Sequence, residues 1–339
     1  MRDVAIVSVA RAPHVRKERS RNEVEILMPV VHEVMADCGI PKEEIGFTCS
    51  GTCDFLAGQP FSFVSALDAV GAWPPIVESH VEMDGAWALY EAWVRLQHGD
   101  VDSALVYAVG KSSMGDLKDV LALQLDPYVL APMWPDPISL AALQARAWLE
   151  ATGRTERDMA EIAARNEGAD PDDLLTSDYL VSPLRTHDCP PIADGAAAVV
   201  LAAGDLARRV CSRPAWITGI DHRIEQHSLG ARDLTTSPSA TLAASKAGVA
   251  AGKVDVAELH APFTHQELIL RDAMGIDGST RINPSGGPLA GNPVMVAGLE
   301  RFVEAARAIH RKEADRTVAH ATSGPCLQQN LVAVMEGQD

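Results

Sequence analysis

The feature that most constrains the fold of this chain is a strand–helix alternation that runs its course twice. In the first pass, Val4–Val9 reads as a buried strand, and apolar residues recur at helical spacing from Val24 to Cys38 until Gly39 stops the helix. Phe47–Ser50 is a short strand, Phe61–Val70 a helix, Pro74–Val81 an extended run, Asp84–His98 a helix ended by Gly99, and Ser103–Val109 a strand. Lys111–Asp178 breaks this rhythm with an irregular stretch holding Pro127, Pro132, Pro135 and Pro137, then helices over Ser139–Thr152 and Glu156–Gly168. Pro190–Leu201 returns to a strand. The second pass takes Trp216–Asp221, helix Ser237–Ala251, strand Val256–Leu259, a glycine loop, helix Val294–Ile309, strand Thr317–Ala321 and a last strand near Leu331–Met335. Alternation of this kind builds an α/β layered fold, here with two similar halves.

Composition sets the outer limits. A chain of 339 residues can bury a large core. Apolar residues make up 47% and charged ones 22%, ordinary for a globular protein. The charge balance, 29 − 46 = −17, argues against nucleic acid or an anionic membrane as partner. A polyanionic ligand such as coenzyme A would then need a local basic patch, and Arg11–Arg21, with Arg11, Arg16, Lys17, Arg19 and Arg21, is the one basic run. No apolar run reaches membrane-spanning length, and Val4–Val9 follows directly on the N-terminus, so a cytoplasmic protein without membrane insertion is expected. The six cysteines show neither disulfide nor zinc spacing, and no metal is expected.

Three stretches carry the chemistry. Arg281–Pro293 (Arg-Ile-Asn-Pro-Ser-Gly-Gly-Pro-Leu-Ala-Gly-Asn-Pro) is a charge-poor loop whose glycines let backbone approach a ligand closely. Val254–Phe263 delivers His260 from a short strand into a turn, and Ala193–Leu201 contains Asp-Gly-Ala-Ala-Ala-Val-Val-Leu. In this order they resemble the thiolase superfamily, nearest the sterol-carrier-protein type and the actinobacterial lipid-transfer-protein branch, over Val4 to about Met335.

The resemblance implies a duplicated five-layer αβαβα core with two sheets. Its parts would be an N-terminal half over 1–115, a shortened loop domain over 116–180, a return strand and helix over 181–205 and a C-terminal half over 206–339. It also implies a nucleophilic cysteine at the start of a buried helix, where the dipole lowers the thiol pKa. Registering Gly85 and Ala88 with the family's glycine and alanine puts Glu82 in that place. By the same register the family's Gly-His-Pro histidine falls on Asn292 and its strand-turn asparagine or histidine on His260, while Cys326 lies a few residues from the second cysteine.

The catalytic candidates are therefore His260, Asn292, Glu82 and Cys326, with Ser285, Gly286 and Gly287 as ligand-binding loop. Each has a plainer reading beside it: a buried histidine, a turn residue, a helix-start carboxylate and a small buried thiol. Without the cysteine, what survives is an oxyanion hole able to stabilise a thioester enolate. The lipid-transfer branch includes steroid side-chain aldolases that lack the cysteine and work with an OB-fold partner. The implied activity is thus a retro-aldol lyase on a bulky β-hydroxyacyl-CoA, with coenzyme A thioester as substrate and no resident cofactor. The other reading is a catalytically silent, acyl-CoA-binding subunit of a thiolase-like heteromer. Relatives pair through the edge strand that leads to the nucleophile position, here Pro75–Val81, so a homodimer or thiolase-like heterodimer is expected.

Overall fold

The computed structural model describes residues 2–338. Among these residues twelve strands run in chain order. The first half supplies β1 (Val4–Arg11), β2 (Phe47–Gly51), β3 (Glu78–Val81) and β4 (Ser103–Lys111). A small ribbon, β5 (Tyr179–Val181) with β6 (Leu184–Arg185), precedes β7 (Asp194–Ala203). The second half supplies β8 (Ala215–Ile224), β9 (Val256–Leu259), β10 (Arg281–Ile282), β11 (Arg316–Ser323) and β12 (Gln329–Gly337).

The two halves share one topology. In the first, the spatial order is β3-β2-β4-β7-β1, with β3 and β4 parallel to β2 and the β4–β7 and β7–β1 pairs antiparallel. In the second it is β10-β9-β11-β12-β8, and the parallel and antiparallel pairs fall in the same places. Duplication read from the alternation is therefore a property of the hydrogen bonding. The expected two sheets are not separate, however. Ala5 pairs with Trp216 and Ile6 with Ala215, so the halves join edge to edge into one ten-stranded sheet.

Burial gives the layering. Helices Gly85–His98 and Ala297–His310 lie between the halves, and their apolar faces (Ala88, Leu89, Leu299, Phe302) share one core with β1, β4, β7, β11 and β12. A second core packs helix Glu23–Asp37 on the other face of the first half. A third packs helices Pro238–Ala247 and Thr264–Met274 on the other face of the second half, together with Trp148 and Met159 from the loop region. The order is helix, sheet, paired helices, sheet, helix, as the five-layer expectation required.

The elements follow their local signals closely. Asn22 caps the first long helix with a reciprocal bond to Glu25, and Gly39 ends it at φ +65°. Asp84 caps Gly85–His98 through the Ala86 N–H, and Gly99 closes it at φ +80°. Two departures matter for the site. Helix Val294–Ile309 starts later than read, at Ala297, because Met295 takes φ +72° and turns the chain inward first. An entire helix, Thr264–Met274, was not read at all. No described helix is long and apolar enough to cross a membrane.

Candidate active site

Both central helices begin at the same point in the molecule. The Gly85 N–H donates to the Met295 carbonyl (2.8 Å), so the turn ahead of the second helix sits on the start of the first. Asp84 ties the two together. Its Oδ1 accepts from Ala86 N (2.9 Å) on its own helix and from Leu299 N (2.9 Å) on the other, and its Oδ2 accepts from Gly298 N (2.9 Å). Gly298 is glycine for this reason: a Cβ there would stand 2.4 Å from the Asp84 oxygen. Burial pushes the Asp84 carboxyl up to about 6, while the three N–H donors pull it back towards ionisation.

Beside Asp84 opens a cavity of about 550 Å³, lined by both halves and by the loop region. Its lining includes the polar Asp84, His260, Asn292, Gln266 and Thr322 and the apolar Leu117, Leu121, Leu125, Ile138, Leu140 and Phe263. An apolar cleft with a few convergent polar groups is the usual form of a small-molecule site.

His260 follows β9 directly, its backbone N–H held by the His320 carbonyl (3.1 Å). Its Nδ1 accepts from Thr322 N (3.4 Å), which fixes the neutral tautomer with the proton on Nε2. Burial, aided by His320 and Arg301, drives its pKa down to about 3. Asn292 alone favours the protonated ring, through a contact short of hydrogen-bond geometry. The ring is therefore a neutral donor at physiological pH.

Asn292 is presented by a clamped turn: its N–H donates to Pro191 O (3.2 Å), and the Val294 N–H donates to Ser112 Oγ (2.8 Å). Its side-chain Oδ1 is buried with no hydrogen-bond partner among the described residues, and so is Gln266 Oε1. A buried polar atom without a partner costs on the order of 1–3 kcal/mol. Both atoms are acceptors, and both residues line the cavity.

Cys326 also lines the cavity, in the turn between β11 and β12, with left-handed backbone at φ +55°. Its thiol donates to Leu140 O (3.5 Å), and burial raises it to about 11 despite Arg232. Cys189, which sequence reasoning passed over, lines the cavity too and is pushed up to about 12. Neither sulfur is a thiolate near neutral pH.

The structure does not bring the other candidates to this cavity. Glu82 is exposed, and its Oε1 accepts from Asp54 N (2.6 Å) at the start of a neighbouring short helix. The chain turns between β3 and helix Gly85–His98, so Glu82 faces out and Asp84 faces in. Ser285, Gly286 and Gly287 are likewise absent from the lining. Ser285 Oγ donates to Glu258 (2.7 Å) and accepts from Arg301 (2.7 Å), which itself pairs with Glu258 (2.7 Å) inside the protein. Gly286 O accepts from Asn166 (2.9 Å), and Gly287 needs its φ of +59° to complete the turn. These three residues brace the loop that carries Asn292. The basic run Arg11–Arg21 is partly spent in ion pairs, with Arg11 on Glu304 (2.6 Å) and Arg21 on Glu18 at the surface (2.7 Å). Arg16, Lys17 and Arg19 remain exposed.

No family model matches the chain. An acetyl-CoA acetyltransferase of Methanothermobacter thermautotrophicus is 26% identical over 292 residues, covering 74% of this chain and 76% of its own length. Sterol carrier protein 2 of Gallus gallus is 25% identical over 388 aligned residues, covering 97% of this chain and 70% of its own. Among solved structures, an Ltp2-ChsH2(DUF35) aldolase superposes with a TM-score of 0.80 at 18% identity, covering 98% of each chain.

Proposed function

This chain belongs to the thiolase superfamily, with the sterol-carrier-protein type among its relatives, and from that premise we propose that it is a retro-aldol lyase acting on a bulky β-hydroxyacyl thioester. The observation that carries the reading is His260: a buried, neutral imidazole, its Nδ1 held by the Thr322 N–H, that lines a largely apolar cavity beside Asn292. A neutral N–H donor stabilises an oxygen that gains negative charge without itself giving up a proton. The thioester oxygen would lie against the His260 Nε2–H and the Asn292 Nδ2–H, and the acyl chain along Leu117, Leu121, Ile138 and Phe263.

Covalent acyl transfer needs a thiolate, and both cavity cysteines are held protonated by burial. Enolate chemistry without a covalent bond asks only for the donors present here. The substrate is an acyl-CoA, and no cofactor is required for the carbon–carbon step. The partner is a second copy or a thiolase-like subunit meeting at the β3 edge, with an OB-fold protein completing the enzyme; the aldolase with the same fold supports such a heteromer.

The test is direct. The chain, alone and with an OB-fold companion, is given a β-hydroxyacyl-CoA with a branched apolar acyl group, and release of ketone or aldehyde is followed. Turnover is expected, and His260→Ala should lower kcat by about 10²–10³, the usual cost of one oxyanion donor. If the chain with its companion stays inert yet binds the thioester, it is the silent acyl-CoA-binding subunit instead.

A further inference from the structure

A retro-aldol cleavage must remove a proton from the β-hydroxyl, and the donors described so far do not take one. Two carboxylates line the cavity, Asp84 and Asp136, and their surroundings pull them apart. Asp136 caps helix Pro137–Thr152, accepting from Ile138 N (3.0 Å), Ser139 N (3.0 Å) and Ser139 Oγ (2.7 Å), with Lys118 3.8 Å away. Hydrogen bonds and the ammonium group hold it below the usual carboxylate range against burial. Among the described residues no cation stands beside Asp84, which is 3% exposed, lines the cavity and keeps unused acceptor capacity on Oδ2, which takes one N–H where Oδ1 takes two.

Resting on the lyase reading, we propose that Asp84 is the catalytic base, taking the β-hydroxyl proton and returning it to the enolate carbon. The steps balance. The carboxylate accepts the hydroxyl proton; the O–H pair becomes the carbonyl π bond; the Cα–Cβ bond breaks, and its electrons become the enolate, whose oxygen rests on His260 Nε2–H and Asn292. Asp84, now a carboxylic acid, protonates Cα and is regenerated. A carbonyl compound and a shortened acyl thioester leave, with no oxidant or reductant consumed.

The fold explains why this carboxylate can do both jobs. It is positioned by backbone N–H groups of two helices, which do not move when it is protonated, so the base is held rigidly without a counter-ion that would fix its charge. The titratable groups that share the cavity with it are His260 behind β9, His227 after β8, Cys326 in the β11–β12 turn, Cys189 ahead of β7, and Asp136 with Lys118 in the loop region, and Glu300 acts on it from the second central helix. Among these Glu300 disfavours the ionised form of Asp84, and the two thiols and His260 are uncharged near neutral pH.

Asp84→Asn removes the base while its remaining oxygen can still accept from Ala86 and Leu299. Asp84→Ser is the second variant, because serine also caps a helix start. Wild type and variants are compared for carbonyl release from the branched β-hydroxyacyl-CoA and for exchange of the Cα hydrogens of propionyl-CoA into deuterated water. The expected result is a loss of about 10²–10⁴-fold in both readouts for both variants, with thioester binding and a folded melting profile retained. The wild-type kcat/KM should fall below pH about 6. Carbonyl release within tenfold of wild type in a folded Asp84 variant overturns the proposal while leaving the lyase reading intact. A wild type that exchanges Cα hydrogens through Asp84 but releases no carbonyl sinks the lyase reading and keeps Asp84 as a base. No exchange and no release in the wild type overturns both.

Discussion

His265 is wholly buried at the start of the unforeseen helix Thr264–Met274, with Nε2 3.2 Å from Gln144 Oε1 and Nδ1 unpaired. Burial drives its pKa down to about 3, against 6.5 for the free side chain. The folded state therefore binds fewer protons than the unfolded chain between those values, so the group's contribution is complete above about 6.5 and is lost as pH falls towards 3. In His265→Gln that dependence disappears. Urea unfolding at several pH values should show the wild type losing stability relative to the variant by about 1.4 kcal/mol per pH unit below 6.5. A difference that stays flat with pH would mean the ring is not buried neutral. The site's own residues show where sequence reasoning reaches and where it stops. His260 and Asn292 were legible because a strand end and a glycine loop are local patterns, and both reach the cavity. Asp84 was not, because its meaning comes from the N–H groups of Gly298 and Leu299, more than two hundred positions away. Glu82 was picked out by register on Gly85, and register says nothing of which way a turn directs its side chain.

At the level of elements, helices and strands with one apolar face were readable, and helix Thr264–Met274, buried all round its first two turns, was not. In Thr264–Met274 the residues from Thr264 to Leu270 are all buried, polar ones included, so no apolar stripe marks the helix. Its polar groups turn inward to partners on other elements: Thr264 to Asp188 (2.6 Å), Gln266 to Gln144 (2.9 Å), and Glu267 to Arg165 (2.7 Å) and Asn283 (3.0 Å). The junction of the two central helices is the element-scale feature most open to test. Gly298→Ala puts a Cβ 2.4 Å from Asp84 and 2.9 Å from Ala321 Cβ, with no void to receive it. The helices must separate, at a cost of about 1–3 kcal/mol, and the Asp84 carboxylate must shift with them. Denaturant unfolding should show that loss together with a fall in turnover larger than the fall in thioester affinity. A Gly298→Ala protein as stable and active as wild type would show that the junction is looser than these contacts require.

At the scale of the whole molecule the ten-stranded sheet ends on two strands. In the sheet order β3 is terminal on the first half, and β10, only two residues long, is terminal on the second. Around β3 the surface is unusually apolar: Trp73 is 82% exposed, Phe61 69%, and Phe55, Val64 and Val77 more than half. Exposed aromatic and aliphatic groups beside an unpaired strand edge are what a solitary soluble chain avoids, and what a subunit interface contains. β3 pairs with β2 in parallel through its inner edge, which leaves the outer edge to meet a second β3 across a twofold axis. The strand leads straight to Glu82 and Asp84, so association at this edge would steady the turn that points Asp84 into the cavity. Phe61→Asp with Val77→Asp sets like charges face to face across that axis without touching the cavity lining. Light scattering at micromolar concentration should give twice the chain mass for the wild type and the chain mass for the double variant, and carbonyl release should fall with the loss of the dimer. A wild type that is monomeric at that concentration, and fully active, would leave this apolar edge to a partner other than its own copy.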